Sequence, residues 1–223
     1  MDADRFAHEL PLLFEDFPRS EHPRDRRFAP VVERLAGLTR ENNLALLNLA
    51  ARCLGEGEEY VEVGVYRGTS LIGAMLGNDE RAFVGIDSFE FRDGSVAKLE
   101  ENVALFWLPL PRVLVGDVFQ LAESGALDRL RVGVWYYDAL HTYDAQLEGL
   151  RVAEPYLAPG ALLVVDDTDW EQVGRAVDDY LAEQPQARRV LSVDGEERGA
   201  PQWWAGMQAL VWSARNETTT RRA

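Results

Sequence analysis

The sequence predicts a doubly wound α/β sheet of seven strands, mostly parallel, with an antiparallel hairpin at its C-terminal edge. Three observations predict it. Short apolar runs alternate with helix-period segments along most of the chain, the pattern of parallel strands joined by covering helices. The runs are apolar almost throughout, as strands buried on both faces are. The last two runs have no helix between them, so they pair as antiparallel neighbours.

The elements follow in order. Residues 1–38 read as an N-terminal arm or helical cap, with a charged, proline-bearing stretch, FPRSEHPRDRRF. A domain is expected over 39–214 and a disordered tail over 215–223, where NETTTRRA offers no apolar side chain beyond alanine. The segment TRENNLALLNLAARCLGEG reads as a helix, with Thr39 as N-cap, Leu44, Leu47, Cys53 and Leu54 on one side, and Gly55 as the stop. YVEVGV follows as the first strand and YRGTSLIGAML as a turn and helix. AFVGID is the second strand, GSVAKLEENVALF a helix and RVLVGD the third strand. FQLAESGAL is short and helical, VGVWYYD the fourth strand, and YDAQLEGLRVAEPYL a helix. GALLVVDD is the fifth strand and WEQVGRAVDDYLAEQ the last helix, before the strand pair RRVLSVDG and GMQALVWS.

Charge and composition exclude several classes. The formal net charge is −15 over 223 residues, which repels nucleic-acid backbones and anionic membranes. No apolar run approaches the ~18 residues of a membrane span. The start, MDADRFAHELPLLFEDF, is acidic and lacks the basic region of a signal peptide. Cys53 is the single cysteine, so no internal disulfide can form, which fits a cytoplasmic protein. Lys98 is the single lysine. A Gly-Lys-Ser/Thr phosphate loop is therefore absent, as is a Tyr-x-x-x-Lys dehydrogenase pair.

The polar residues concentrate where ligands bind in such sheets, at the carboxyl ends of the strands. The first strand carries Glu62 and leads into GVYRGTS, where Gly64 and Gly68 permit a tight turn and close backbone approach, and Thr69 and Ser70 open a helix. Asp87 ends the second strand, where a carboxylate can accept from both hydroxyls of a ribose. Asp117 ends the third, Asp138 the fourth, and Asp166 with Asp167 the fifth. Any one of these acids reads equally well as a turn residue. Their succession on five strands points to a ligand.

The stretches YVEVGVYRG, VGIDSF, GDVF, YYDALHTY and ALLVVDD resemble the class I S-adenosylmethionine-dependent methyltransferases, a Rossmann-like family, over most of the chain. Within it, YDALHTYD and VVDD resemble the macrocin O-methyltransferase-like group and, more distantly, the catechol-type enzymes. The resemblance implies S-adenosylmethionine as cofactor. It puts Gly64, Gly68 and the rest of that turn (Tyr66, Thr69, Ser70) at the methionine part, with Glu62 at its amino group. Asp87 and Ser88 fall at the ribose, Asp117 and Val118 at adenine, and Asp138 beside the cofactor. It also implies a divalent ion held by Asp138, Asp166 and Asp167. Mg²⁺ suits such hard oxygen ligands. Consecutive strand residues face opposite ways, so Asp166 and Asp167 can share an ion only if the chain turns there. The alternative is that one of them caps the following helix.

His141, three residues beyond Asp138, is the expected general base, since a neutral imidazole is available near pH 7. His8 and His22 lie in the polar arm without such a setting. Asp144 reads as a first-turn carboxylate that favours the helix dipole. Phe89, Phe91, Tyr137, Trp170, Trp203 and Trp204 could wall an acceptor site or serve as packing. The expected partner is a small-molecule methyl acceptor, with a short cap or a lid lent by a second copy in a homo-oligomer. Two other readings stand beside this one. One is a metal-independent N-methyltransferase, and the other a nucleotide-ligand binding protein without catalysis.

Overall fold

A computed structural model describes residues 1–35, 37–195 and 202–213. The strands are β1 (Glu59–Val63), β2 (Ala82–Asp87), β3 (Arg112–Val115), β4 (Val132–Tyr137), β5 (Leu157–Asp166), β6 (Ala187–Val193) and β7 (Met207–Trp212). They form one seven-stranded sheet in the order β3-β2-β1-β4-β5-β7-β6. Every pair among β1 to β5 is parallel, and β7 runs antiparallel to both β5 and β6. The order reverses between β1 and β4, the crevice where doubly wound sheets take ligands.

The helices are α1 (Ala3–Glu9), α2 (Ala29–Leu35), α3 (Glu41–Arg52), α4 (Thr69–Met75), α5 (Val96–Ala104), α6 (Val118–Glu123), α7 (Tyr143–Arg151) and α8 (Glu171–Glu183). Side chains of α1 to α5 pack on one face of the sheet, against Tyr60, Val134, Tyr136, Leu162 and Val164. Those of α6, α7 and α8 pack on the other, against Val61, Trp135, Tyr137, Leu163 and Val165. From Val134 to Tyr137 alternate residues of β4 thus enter different cores, as the two-residue strand period requires, while Val132, before a register shift, joins the second core. The N-terminal segment belongs to the first core through Phe6, Leu10, Phe14, Phe28 and Val31, all buried. The tail expected over 215–223 lies outside the described residues. Among the described residues no helix is long and apolar enough to cross a membrane.

Several element ends differ from the sequence reading, two of them near the site-bearing loops or strands. The helix read from Thr39 begins at Glu41, with Arg40 as N-cap and no side-chain cap. The helix read as far as Leu157 ends at Arg151, because Pro155 falls in a 3₁₀ turn, Glu154–Tyr156, that leads directly into β5.

The crossing of β1 and β4 positions the site. The Gly64 N–H donates to the Ile86 carbonyl (2.9 Å) and the Asp138 N–H to the Val63 carbonyl (2.9 Å). Gly64 has φ +95°, and a Cβ on it would stand 1.9 Å from the Asp138 carbonyl oxygen. No rotamer change relieves a contact with backbone. Gly64→Ala is therefore expected to force the two strand ends apart and to lower unfolding free energy by more than ~2 kcal/mol. Urea denaturation measures it, and a variant within ~0.5 kcal/mol of the parent would contradict the crossing.

Candidate active site

The loop after β1 is bound to the loop after β2 by one carboxylate. Asp87 accepts from the Tyr66 N–H on one oxygen (2.6 Å) and from the Phe89 N–H on the other (2.6 Å). Tyr66 (φ 52°) and Phe89 (φ 56°) both hold left-handed backbone there. The Tyr66 hydroxyl donates to Asp93, which is also paired with Arg67. Gly68, φ +85°, caps α4, and a Cβ on it would meet the Leu99 side chain at 2.3 Å.

Glu62 lies beneath this turn with no exposed surface. The Ser70 hydroxyl donates to it at 2.7 Å and the Tyr60 hydroxyl at 3.0 Å. Burial pushes the Glu62 carboxyl up to about 8, the charges of Asp138 and Asp87 add to the rise, and the two hydrogen bonds oppose it. Thr69, the first residue of α4, is buried beside them. Ser88 is exposed, and its hydroxyl accepts from the Glu90 N–H at 3.4 Å. At the end of β3, Asp117 caps α6 by accepting from the N–H groups of Phe119 (3.0 Å) and Gln120 (3.1 Å), and Val118 is buried. Among the expected cofactor residues, then, direct hydrogen bonds join Glu62 to Ser70 and Tyr66 to Asp87. Asp117 and Val118 stand on the neighbouring strand end, anchored by their own helix.

A second group forms across β4 and β5. The Tyr136 hydroxyl donates to Asp166 at 2.8 Å and lies 3.3 Å from Asp138. His141 Nε2 stands 3.4 Å from Asp138 Oδ1 and 3.4 Å from Asp167 Oδ2. Asp167 has φ 54°, so the chain does turn after β5, and the two consecutive acids reach one neighbourhood. Neither caps the next helix: the N-cap of α8 is Trp170, and Asp167 supplies only a carbonyl, to the Trp170 N–H. Asp166 is 1% exposed, and its Oδ1 has no hydrogen-bond partner. Its carboxyl is held well above the usual range by burial first, then by the charges of Asp138 and Asp167. Burial likewise raises Asp138, against an opposing pull from His141. Among the described residues no three His, Cys, Asp or Glu side chains stand in metal-ligating geometry. The donor set nevertheless has the chemistry of a hard-cation site. It offers three carboxylates, and the buried Oδ1 of Asp166 has no hydrogen-bond partner among the described residues.

Sequence reading missed Tyr60, Tyr136 and Gln172. Tyr60 precedes Glu62 by two residues and Tyr136 precedes Asp138 by two, so each tyrosine shares a strand face with its acid. That period was the available signal. Gln172 donates its amide to the His141 carbonyl at 3.1 Å from α8, a contact no local pattern announces. Asp144 falls in the first turn of α7 and Thr142 caps it, accepting from the Ala145 N–H. Of the aromatic residues, Tyr137 and Trp203 are core: Trp203 is 1% exposed and packs against Phe14 and Phe17. Trp170 stands beside the second group, its ring 5.2 Å from that of His141.

Residues 61–168 match a family model described as a methyltransferase domain. No curated protein matches the chain. Among solved structures it is similar to the O-methyltransferase TomG of Streptomyces achromogenes, involved in tomaymycin synthesis and solved with SAM. The identity is 18%, over 96% of this chain and 100% of that one, with a TM-score of 0.63. It is also similar to an O-methyltransferase of Bacillus cereus in complex with SAH, 12% identical over 92% of this chain and 96% of that one, TM-score 0.60. CalS11, a TDP-rhamnose 3′-O-methyltransferase of calicheamicin biosynthesis, is 21% identical over 95% of this chain and 93% of that one, TM-score 0.59. At such identities the likeness is one of fold.

A carboxyl that holds its proton to about 8 in the folded chain and only to 4.5 in the unfolded one makes the folded state bind more protons between those values. Stability from this group therefore falls as pH rises through that window. Glu62→Gln removes the titration. Melting temperatures measured between about pH 5 and about pH 8.5 are expected to fall more steeply for the parent than for the variant. Parallel curves would mean that Glu62 ionises freely.

Proposed function

We propose, for a chain that carries a methyltransferase domain of the class I, S-adenosylmethionine-dependent fold, that it methylates a hydroxyl of a small molecule. A sugar or phenol of secondary metabolism is the acceptor class. The observation that carries the reading is the placement of the two acid groups. Glu62 and Asp87 lie at the ends of β1 and β2, and Asp138, Asp166, Asp167 and His141 at the ends of β4 and β5, on either side of the topological switch. One group suits a cofactor with a cationic amino-acid end and a ribose. The other suits proton removal from an acceptor.

In this reading Glu62, buried and fixed by Ser70 and Tyr60, receives the cofactor's ammonium group, and that charge returns its carboxyl to the ionised form. Asp87 keeps its loops closed through the Tyr66 and Phe89 N–H groups while its remaining lone pairs take ribose hydroxyls. Asp117 and Val118 border the base, and Gly64 and Gly68 let the backbone approach the methionine chain. The bound sulfonium supplies an activated methyl and a good leaving group. A Mg²⁺ ion held by Asp138, Asp166 and Asp167 would lower the pKa of an acceptor hydroxyl. His141 takes the hydroxyl proton. Its Nε2 faces Asp138 and Asp167, which favour a proton on that nitrogen and leave Nδ1 as the acceptor atom. Gln172 holds the His141 backbone, and Trp170 packs beside the ring.

Support for the acceptor class comes from the similar structures named for tomaymycin and calicheamicin biosynthesis. Calorimetry with S-adenosylhomocysteine tests the cofactor, and absence of binding would sink the reading. Asp87→Ala should weaken that binding about tenfold or more, the loss of a charged hydrogen-bond partner. With an acceptor in hand, His141→Ala is expected to lower kcat by ~10²–10⁴. A near-normal kcat would remove it from the mechanism. Full activity after exhaustive chelation would transfer the acids from metal binding to recognition of a cationic amine acceptor.

A further inference from the structure

Arg40 stands at the site without a role in the chemistry above. It is the N-cap residue of α3, and its guanidinium lies 4.6 Å from the centre of the Trp204 ring. Both ends of this contact are tied to the site. On the Arg40 side, a Cβ built on Gly37 would fall 2.2 Å from the Thr69 hydroxyl, so the segment before α3 rests on the residue that opens α4. On the Trp204 side, the next residue, Ala205, accepts through its carbonyl from the Asp169 N–H at 2.9 Å. Gly206 lies against Thr168 and Asp169, directly beyond the Asp166–Asp167 pair. The Arg40–Trp204 stack therefore reaches from the Gly68–Thr69 turn to the end of β5.

Its surroundings are unusual for a strongly acidic chain. The neighbouring strand ends carry Glu62, Asp138, Asp166 and Asp167. Arg40 is half-buried, and burial lowers its pKa, so part of its hydration has been given up. Trp204 itself is held at φ 58°, a conformation that bulky residues avoid. Asn43, three residues on and hence on the same side of α3, has no exposed surface, and neither atom of its amide has a hydrogen-bond partner. Arg40 also donates to the Thr39 carbonyl at 3.3 Å, and its guanidinium carries five N–H donors, so a half-buried planar cation on an aromatic face, with an unsatisfied amide one turn away, is suited to grip a carboxylate.

We propose that Arg40, stacked on Trp204 and assisted by Asn43, forms an anion subsite at the mouth of the methyl-transfer site, filled by a carboxylate. This rests on the methyltransferase reading. Two ligands of that reading can bring the carboxylate: the amino-acid end of the cofactor, whose ammonium Glu62 receives, or an acidic methyl acceptor. In the first case Glu62 and Arg40 hold opposite poles of one zwitterion.

The test compares the parent with Arg40→Met and Arg40→Lys by calorimetry. Three probes are used: S-adenosylhomocysteine, 5′-methylthioadenosine (the same nucleoside without the amino-acid group), and benzoate added to protein saturated with S-adenosylhomocysteine. If the cofactor fills the subsite, Arg40→Met weakens S-adenosylhomocysteine by about tenfold or more and leaves 5′-methylthioadenosine unchanged. Arg40→Lys should recover part of the loss, since it keeps the charge but not the planar fork. If an acidic acceptor fills it, S-adenosylhomocysteine is unaffected, benzoate binds the loaded parent, and Arg40→Met abolishes that binding. Equal S-adenosylhomocysteine affinity together with equal or absent benzoate binding in parent and variant overturns the subsite. Unchanged 5′-methylthioadenosine affinity certifies the fold of each variant. Failure of the parent to bind either nucleoside would instead count against the methyltransferase reading.

Discussion

The site depends on a crowd of carboxylates gathered in a buried or half-buried setting where water screens them little. Glu62 and Asp166 are buried, Asp167 nearly so, and Asp138 and Asp87 stand beside them at the C-terminal end of one sheet. For Glu62, Asp138 and Asp166 burial is the largest cost of ionisation, and the charges of Asp87 and Asp138 add to it at Glu62, that of Asp87 at Asp138, and those of Asp138 and Asp167 at Asp166. Hydroxyls soften it: Tyr60 and Ser70 at Glu62, and Tyr136 between Asp138 and Asp166. A hydroxyl dipole is a weak substitute for a cation. An arrangement of this kind gains most by receiving positive charge.

Backbone geometry holds the crowd in place. Six non-glycine residues in the described chain have left-handed backbone, and five of them, Tyr66, Phe89, Arg92, Asp167 and Trp204, lie in loops at the ligand end of the sheet. Such conformations cost on the order of 1–3 kcal/mol each where they are strained, and they persist only when their surroundings fix them. Asp87 fixes two of them through their N–H groups or those beside them in the loop. Asp167 owes its reach toward His141 to the same kind of turn. The glycines act in the opposite sense. Gly64 and Gly68 remove side chains where the end of β4 and Leu99 already occupy the space.

Much of this was legible in the sequence, for reasons that differ by scale. Apolar runs such as ALLVVDD and VGVWYYD can hardly be anything but central strands, and the missing helix before GMQALVWS announced the antiparallel strand. The strand-end acids were legible because topology, rather than contact, brings them together: parallel neighbours finish at one edge. Contacts between distant segments were not legible. Gln172 reaches His141 from another helix, and Arg40 meets Trp204 across most of the chain length. The left-handed turn at Asp167 was not legible either. Aspartate tolerates that conformation without demanding it, so only the packing around β5 and β7 decides. Trp203 and Trp204 show the same limit. Adjacent and identical in type, they part company in space, one into the core against Phe14 and one onto a guanidinium.

The two acid groups also differ in what they can accept, and β4 separates them. Glu62 already has both oxygens hydrogen-bonded by hydroxyls, so it can meet a cation that donates in turn, such as an ammonium, without disturbing its shell. Among the described residues Asp166 keeps one buried oxygen with no donor, and Asp138 and Asp167 both approach the imidazole of His141. The Tyr136 hydroxyl serves one oxygen of Asp166 and lies near Asp138, and the oxygen it leaves open suits a compact multivalent charge. A monovalent organic cation on the β1–β2 side and a hard ion on the β4–β5 side would each relieve a different part of the same repulsion. Tyr136 on β4, a strand buried along its whole length, and Asp138 just beyond its end stand at the junction of the two groups. The charge pattern is thus divided along the sheet, with the hydroxyl-bonded carboxyl of Glu62 on the β1 side and the open oxygen of Asp166 on the β5 side.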